Sequence, residues 1–199
     1  MRLIVFALLG MLACLFAGCS TASEQIRTKM LSERTDIFQE TEGIGPPPKG
    51  MADLVIKTQI KTTVEGFYIL ESKDSPHGKP KYSFVFNIDG QVVEWKVDGK
   101  KEETSFYDKD GKMTADGGEG MKYVLEKRIR LDAGPHEILF ALPGDNYFKK
   151  FAVDLKKGDV NILEFKPIYM KDNWRRETFL KGIKDFELFL NGKRLCVFP

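Results

Sequence analysis

The sequence predicts an all-β fold, an antiparallel β-sandwich built from successive hairpins, on three observations. Leu54, Ile56, Thr58, Ile60, Thr62 and Val64 alternate with Val55, Lys57, Gln59, Lys61 and Thr63, which is the period of a half-buried strand. Asp-Gly pairs at 89–90 and 98–99 punctuate further alternating runs. From there to the C-terminus, short apolar runs recur roughly every 8–12 residues with Gly, Pro, Asn or Asp between them. Fifteen Phe suit such a core, because flat side chains pack well on a pleated surface.

Each element follows from the same grammar. After the strand at 54–64, residues 67–71 read as a second strand beyond Glu65-Gly66, and Pro76-His77-Gly78-Lys79-Pro80 reads as a loop. Residues 82–88 and 91–97 flank Asp89-Gly90. Asp-Gly between alternating runs favours a tight hairpin turn, whose positive φ angles match the strand twist. Asp98-Gly99 follows at once and predicts a three-stranded meander. Its inward set is Phe84, Phe86 and Ile88 facing Val93, Trp95 and Val97, which makes Trp95 a core residue.

Tyr123, Leu125, Ile129 and Leu131 alternate up to Asp132-Ala133-Gly134, and residues 137–142 form a strand closed by Pro143-Gly144-Asp145. Residues 147–155 come next, turned at Lys156-Lys157-Gly158-Asp159 into 160–169. Asn191-Gly192 joins a last hairpin, 186–190 with 194–198. Residues 173–181, stopped at Gly182, read as a short helix.

The N-terminus has a different character. Arg2 supplies a positive charge, and residues 3–17 form an apolar run that ends in Leu15-Phe16-Ala17-Gly18-Cys19. That run is too short for a transmembrane helix, which needs roughly 20 residues. A small-residue pair followed by Cys at this position resembles the lipobox of bacterial lipoproteins. The resemblance implies a signal peptide over 1–18, cleavage before Cys19, and a covalent lipid on that residue. It places the protein at the bacterial cell envelope, on the outer membrane, facing the periplasm or the cell surface. The alternative is a plain secretory peptide cut nearby.

Residues 19–50 read as a tether that ends in the stiff break Ile44-Gly45-Pro46-Pro47-Pro48-Lys49-Gly50. Scattered apolar residues over 24–39 suggest a short amphipathic helix within it. As a flexible chain the tether would span about 30 Å. Residues 51–199 then form the β domain. With Cys14 removed and Cys19 acylated, Cys196 is the remaining thiol, expected as a small buried hydrophobe. The mature chain therefore has no internal disulfide and relies on its apolar core.

The stretch Arg130-Leu131-Asp132-Ala133-Gly134-Pro135-His136-Glu137-Ile138, followed by Lys157-Gly158 and Leu163-Glu164-Phe165, resembles a PEGA-like domain. The resemblance covers about 81–170. It implies an Ig-like sandwich and an extracytoplasmic, non-catalytic module, with no binding residues to carry over.

Thirty-one basic residues against twenty-nine acidic ones supply no field for nucleic acid. Catalysis is limited by two histidines, His77 and His136, and His136 reads as a structural hydrogen-bonder in its turn. No nucleophile elbow or His-Glu-x-x-His is present. Twenty-nine carboxylates leave a carboxylate-based hydrolase as a third reading. No cofactor is expected beyond the lipid, with Ca2+ a candidate at Asp108, Asp110 and Asp116. These are hard oxygen ligands on a Gly-rich loop, although their spacing misses the EF-hand register.

Trp174, Arg175 and Arg176 are the candidate ligand-binding surface, through stacking and forked donors. A mostly buried Trp174 is the more ordinary expectation. The expected function is a membrane-anchored binding or structural module for an envelope protein or glycan. An accessory subunit of an envelope assembly or secretion machine is the alternative.

Overall fold

A computed structural model describes residues 34–43 and 45–196. The signal peptide, Cys19, residues 20–33 of the tether and most of the helix expected over 24–39 lie outside them. Among the described residues the fold is all-β. The strands are β1 (Phe38–Glu40), β2 (Met51–Thr62), β3 (Lys81–Ile88), β4 (Gln91–Thr104) and β5 (Gly118–Asp132). They continue as β6 (Gly134–Leu142), β7 (Tyr147–Leu155), β8 (Val160–Tyr169), β9 (Ile183–Leu190) and β10 (Lys193–Arg194).

The strands form one ten-stranded sheet in the order β10-β9-β8-β2-β5-β4-β3-β6-β7, with β1 paired to β5. Hairpins account for most neighbours, as the turn signals predict. One pairing departs from the antiparallel expectation: β2 runs parallel to β8, from Asp53 opposite Val160 to Thr58 opposite Phe165. The alternation in β2 is as read, with Leu54, Ile56, Thr58 and Ile60 buried.

Asp89-Gly90 is the expected tight turn, with φ of 47° and 95°. Asp98-Gly99 is not a turn: β3, β4 and β5 are consecutive antiparallel neighbours, but the chain turns into the third strand only over residues 105–117. β4 runs straight through this pair and changes partner at it. Asp98 is the last residue opposite β3, and Gly99 is the first opposite β5. A Cβ at Gly99 would lie 2.5 Å from the Tyr123 ring, so glycine allows the strand to cross close to β5. This pivot curls the sheet so that its two halves face each other.

Between the halves lies an aromatic core. Phe86 and Phe140 from one half meet Phe165 from the other, at ring-centroid separations of 5.6 and 4.5 Å. Phe186 joins Phe140 at 5.2 Å. Where the sheet ends come together, side chains form the seam: Tyr147 Oη and Lys149 Nζ on β7 both donate to Asp185 Oδ1 on β9, at 2.8 and 2.7 Å. Trp95 is buried as expected, and its Nε1 donates to Glu40 Oε1 at 2.7 Å.

Four further expectations are corrected. Residues 38–40, inside the stretch read as tether, form a strand on β5, and Phe38 is buried. Gln91 fastens this strand by accepting from the amides of Ile37 and Phe38 and donating to the Phe38 carbonyl. Residues 67–71 form turns rather than a strand, because no neighbouring strand offers them a ladder. Residues 173–178 are not helical, since the Asp172 carboxylate captures the Trp174 and Arg176 amides; only Phe179–Lys181 makes a 3-10 turn. Cys196 is exposed rather than buried.

Candidate functional site

The strand directions sort the connections onto two ends. One end carries Asp89-Gly90, residues 41–50, Ala133-Gly134 and residues 156–159, and here Arg34 N donates to Gly90 O. The chain therefore enters the domain at this end. Its turns are polar, and His136 stitches them together with Nδ1 2.6 Å from Asp89 Oδ2 and Nε2 2.8 Å from the Asp132 carbonyl. This is the structural role expected of that histidine.

The opposite end carries residues 63–80, 105–117 and 170–182 together with the 3-10 turn Pro143–Asp145. Hydrogen bonds join these segments into one surface. Tyr68 Oη donates to the Leu180 carbonyl at 2.5 Å, and Phe179 N donates to Ala115 O at 3.0 Å. Beneath them Lys61, almost wholly buried, donates from Nζ to Thr104 Oγ1, Asp116 O and Gly118 O at 3.0, 2.9 and 2.7 Å. Its ammonium lies 4.9 Å from the Phe179 ring centroid. Burial holds the Lys61 ammonium below the usual lysine range.

This end also exposes large apolar side chains. Ile69 and Leu70 are 100% and 97% exposed, and Phe67, Tyr68, Phe106, Tyr107, Met113 and Met170 stand at least a third out of the fold. Trp174 is 78% exposed, which overturns the expectation of a mostly buried ring. A run of four exposed apolar residues at 67–70 is a defect in a domain that meets only water. Behind the run, a half-open groove of about 480 Å³ lies between Leu70 and Phe179.

His77 fixes the base of the 67–71 loop. Its Nδ1 is 2.9 Å from Glu71 Oε1, and its Nε2 is 2.8 Å from Asp145 Oδ1. Tyr82 Oη also donates to Asp145. The Asp145 hydrogen bond, helped by the Glu71 charge, raises the His77 pKa above its ordinary value. Both ring nitrogens donate only when the ring is charged. The clasp is therefore complete below about pH 6.5 and loosens as pH rises through the higher folded-state value. Hydrogen exchange should show residues 71–77 losing protection over that rise. His77→Gln should remove the pH dependence and leave the loop at its high-pH protection throughout.

The candidate calcium residues do not converge. Asp108 Oδ1 is occupied by the amides of Asp110 and Lys112, and the Asp116 carbonyl already receives the Lys61 ammonium. Asp110 points into solvent. Among the described residues no group of three His, Cys, Asp or Glu side chains is placed to hold a metal. The candidate surface at Trp174, Arg175 and Arg176 does sit together on the loop end. Arg176 is bound to Asp172 Oδ2 at 2.8 Å, whereas Arg175 faces solvent.

Every described carboxylate with a displaced pKa is held down, Asp53 by Arg130 and Arg128 and Glu40 by Trp95 and Lys127 among them. Such groups are ionised at neutral pH. The exposed 67–70 run escaped the sequence reading because its apolar residues imitate a strand. The missing signal was a partner strand. Comparison with protein-family models, curated proteins and solved structures finds no match to the chain.

Proposed function

We propose that the protein is a lipid-anchored lipoprotein of the bacterial cell envelope whose β domain is a non-catalytic binding module for a protein partner. The carrying observation is the apolar loop end, with Ile69 and Leu70 almost fully in water. That end lies one strand length, about 50 Å for a β5 of fifteen residues, from the end where the chain enters. A lipid on Cys19 would lie fifteen positions before Arg34, which is held at the end where the chain enters. The loop end would then face away from the membrane, toward whatever the domain is held there to meet. An accessory subunit of an envelope assembly would use the same surface and would co-purify in fixed stoichiometry.

Crosslinking and mass spectrometry of the native membrane fraction tests this reading. Crosslinks to one partner are expected at Lys73, Lys109, Lys112, Lys171 and Lys181. They should disappear in Ile69→Asp/Leu70→Asp, whose thermal midpoint should stay at the wild-type value because those side chains are in water. Crosslinks confined to Lys49, Lys156 and Lys193, at the other end, would overturn the docking surface. Cys19→Ser should release the protein from membranes, and a variant that still sediments with them would refute the anchor.

A further inference from the structure

Two loops of this end are built on one plan. In residues 108–112, Asp108 Oδ1 accepts from the amides of Asp110 and Lys112, Asp108 N donates to Lys112 O, and Gly111 has φ of 74°. In residues 172–176, Asp172 Oδ1 accepts from the amides of Trp174 and Arg176, Asp172 N donates to Arg176 O, and Arg175 has φ of 61°. Each turn is closed by a bridge between its flanks, Tyr107 with Met113 and Lys171 with Glu177. The fourth position is left-handed in both. Glycine fills it in one turn, as the conformation favours, but arginine fills it in the other against that preference.

The turns wall an open groove of about 560 Å³, of the size that takes a few residues of an extended peptide. Lys112, Lys171 and Arg175 line it, and none of the three has a carboxylate within ion-pair distance among the described residues. Arg176 is neutralised by Asp172, and Glu177 is the one lining carboxylate. Met113 adds an apolar patch to the wall, and the exposed Trp174 ring stands on the rim turn.

We infer that this groove binds an acidic segment of the partner protein, a deepening that rests on the loop end being the docking surface. Carboxylates of the segment pair with Lys112, Lys171 and Arg175, and its apolar side chains cover Met113 and Trp174. The two rigid turns hold the cations at fixed spacing before the partner arrives, which lowers the ordering cost of binding. A peptide fits this mixture better than a polyanionic glycan, which has no apolar side chains to bury. Anionic lipid is disfavoured by the position of the groove at the end remote from chain entry.

A blocked peptide of alternating Glu and Leu, titrated at low salt and followed by tryptophan fluorescence and calorimetry, tests the inference. Binding is expected, with a change in Trp174 emission, and it should weaken at physiological salt. The Gln-Leu counterpart should not bind. Arg175→Gly should weaken binding about five-fold, the scale of one exposed ion pair. Its thermal midpoint should hold or rise, since glycine suits the left-handed position, so the loss cannot be ascribed to unfolding. Lys112→Glu/Lys171→Glu should abolish binding. Polygalacturonate or inorganic phosphate competing as well as the peptide would overturn the inference in favour of a glycan or simple anion site. Partner crosslinks that survive Lys112→Glu/Lys171→Glu but vanish in Ile69→Asp/Leu70→Asp would overturn the groove and leave the docking surface intact.

Discussion

Phe140→Ala is expected to lower the unfolding free energy by about 4 kcal/mol, within the range for truncating a buried aromatic. Phe140 exposes no surface and sits where the facing halves of the sheet meet. Its ring lies 4.9 Å from Phe86, 4.5 Å from Phe165 and 5.2 Å from Phe186, so one truncation removes contacts to β3, β8 and β9 together. Those neighbours belong to three backbone ladders and cannot collapse into the space. The cavity term therefore adds to the lost transfer energy. The thermal midpoint should fall by about 8–16 °C for a domain of this size. Phe148→Ala is the control, because Phe148 is half-buried against the small Leu139–Ala141 cluster on the outer face. Urea denaturation should separate the two variants by at least about 2 kcal/mol. Equal costs would mean that the aromatic cluster is not the core.

Asp53→Ala is expected to cost about 3 kcal/mol for a different reason. Asp53 lies on β2 with its side chain wholly buried, and two arginines of β5 share it. Arg130 Nε donates to Oδ1 at 2.7 Å, and Arg128 Nε donates to Oδ2 at 2.9 Å. Removing the anion leaves two guanidinium groups without their partner. Breaking a buried pair costs about 3–5 kcal/mol. The lower value applies here because both arginines are about a quarter exposed and can regain water. Arg128 also donates to the Gly43 and Gly45 carbonyls, so the variant should lose hydrogen-exchange protection around residues 41–45 first. Arg130, then Arg128, hold the Asp53 carboxyl below the usual carboxylate range. Its stabilisation is present above the unfolded value of about 3.9 and disappears as pH falls through the lower folded-state value. Wild type and Asp53→Ala should therefore converge in stability under acid. A gap that does not narrow at all as pH falls below the unfolded value would assign the effect to packing instead of charge.

How far the sequence could be read is shown by its two Asp-Gly pairs. Both lie between alternating apolar runs, and locally they are equivalent. Asp89-Gly90 turns because Ile88 and Gln91 can pair across it. Asp98-Gly99 does not turn, because β5 supplies Gly99 with a partner at Tyr123. That choice depends on a strand more than twenty residues further on, and no local pattern carries it. The parallel β2–β8 pairing was hidden for the same reason. Alternation reports which face is buried, and Trp95 and Phe86 were assigned correctly on it, but it does not report the neighbour. β1 is only three residues long, too short for any period to register.

The site was legible in its chemistry and not in its exposure. Trp174, Arg175 and Arg176 stood out as a binding-type cluster, but Lys112 and Lys171 join them only when two loops sixty residues apart lie side by side. The 67–70 run illustrates the converse. Its composition is that of a core strand, and only the absence of a ladder leaves Ile69 and Leu70 in water.

The parallel pairing of β2 with β8 also sets a schedule for synthesis. Asp53 and Val160 are partners, so the inner edge of β2 waits for roughly a hundred residues to be made. At about 5–20 residues per second that is about 5–20 s. During that interval β2 presents a long, apolar and unpaired edge, the feature that invites mispairing between nascent chains. The β3–β7 hairpins are complete before β8 appears, and they can close the other half of the sheet without it. Chains stopped between β7 and β8 should therefore hold a folded half and one open edge, and they are the point at which a strand-capping chaperone would act.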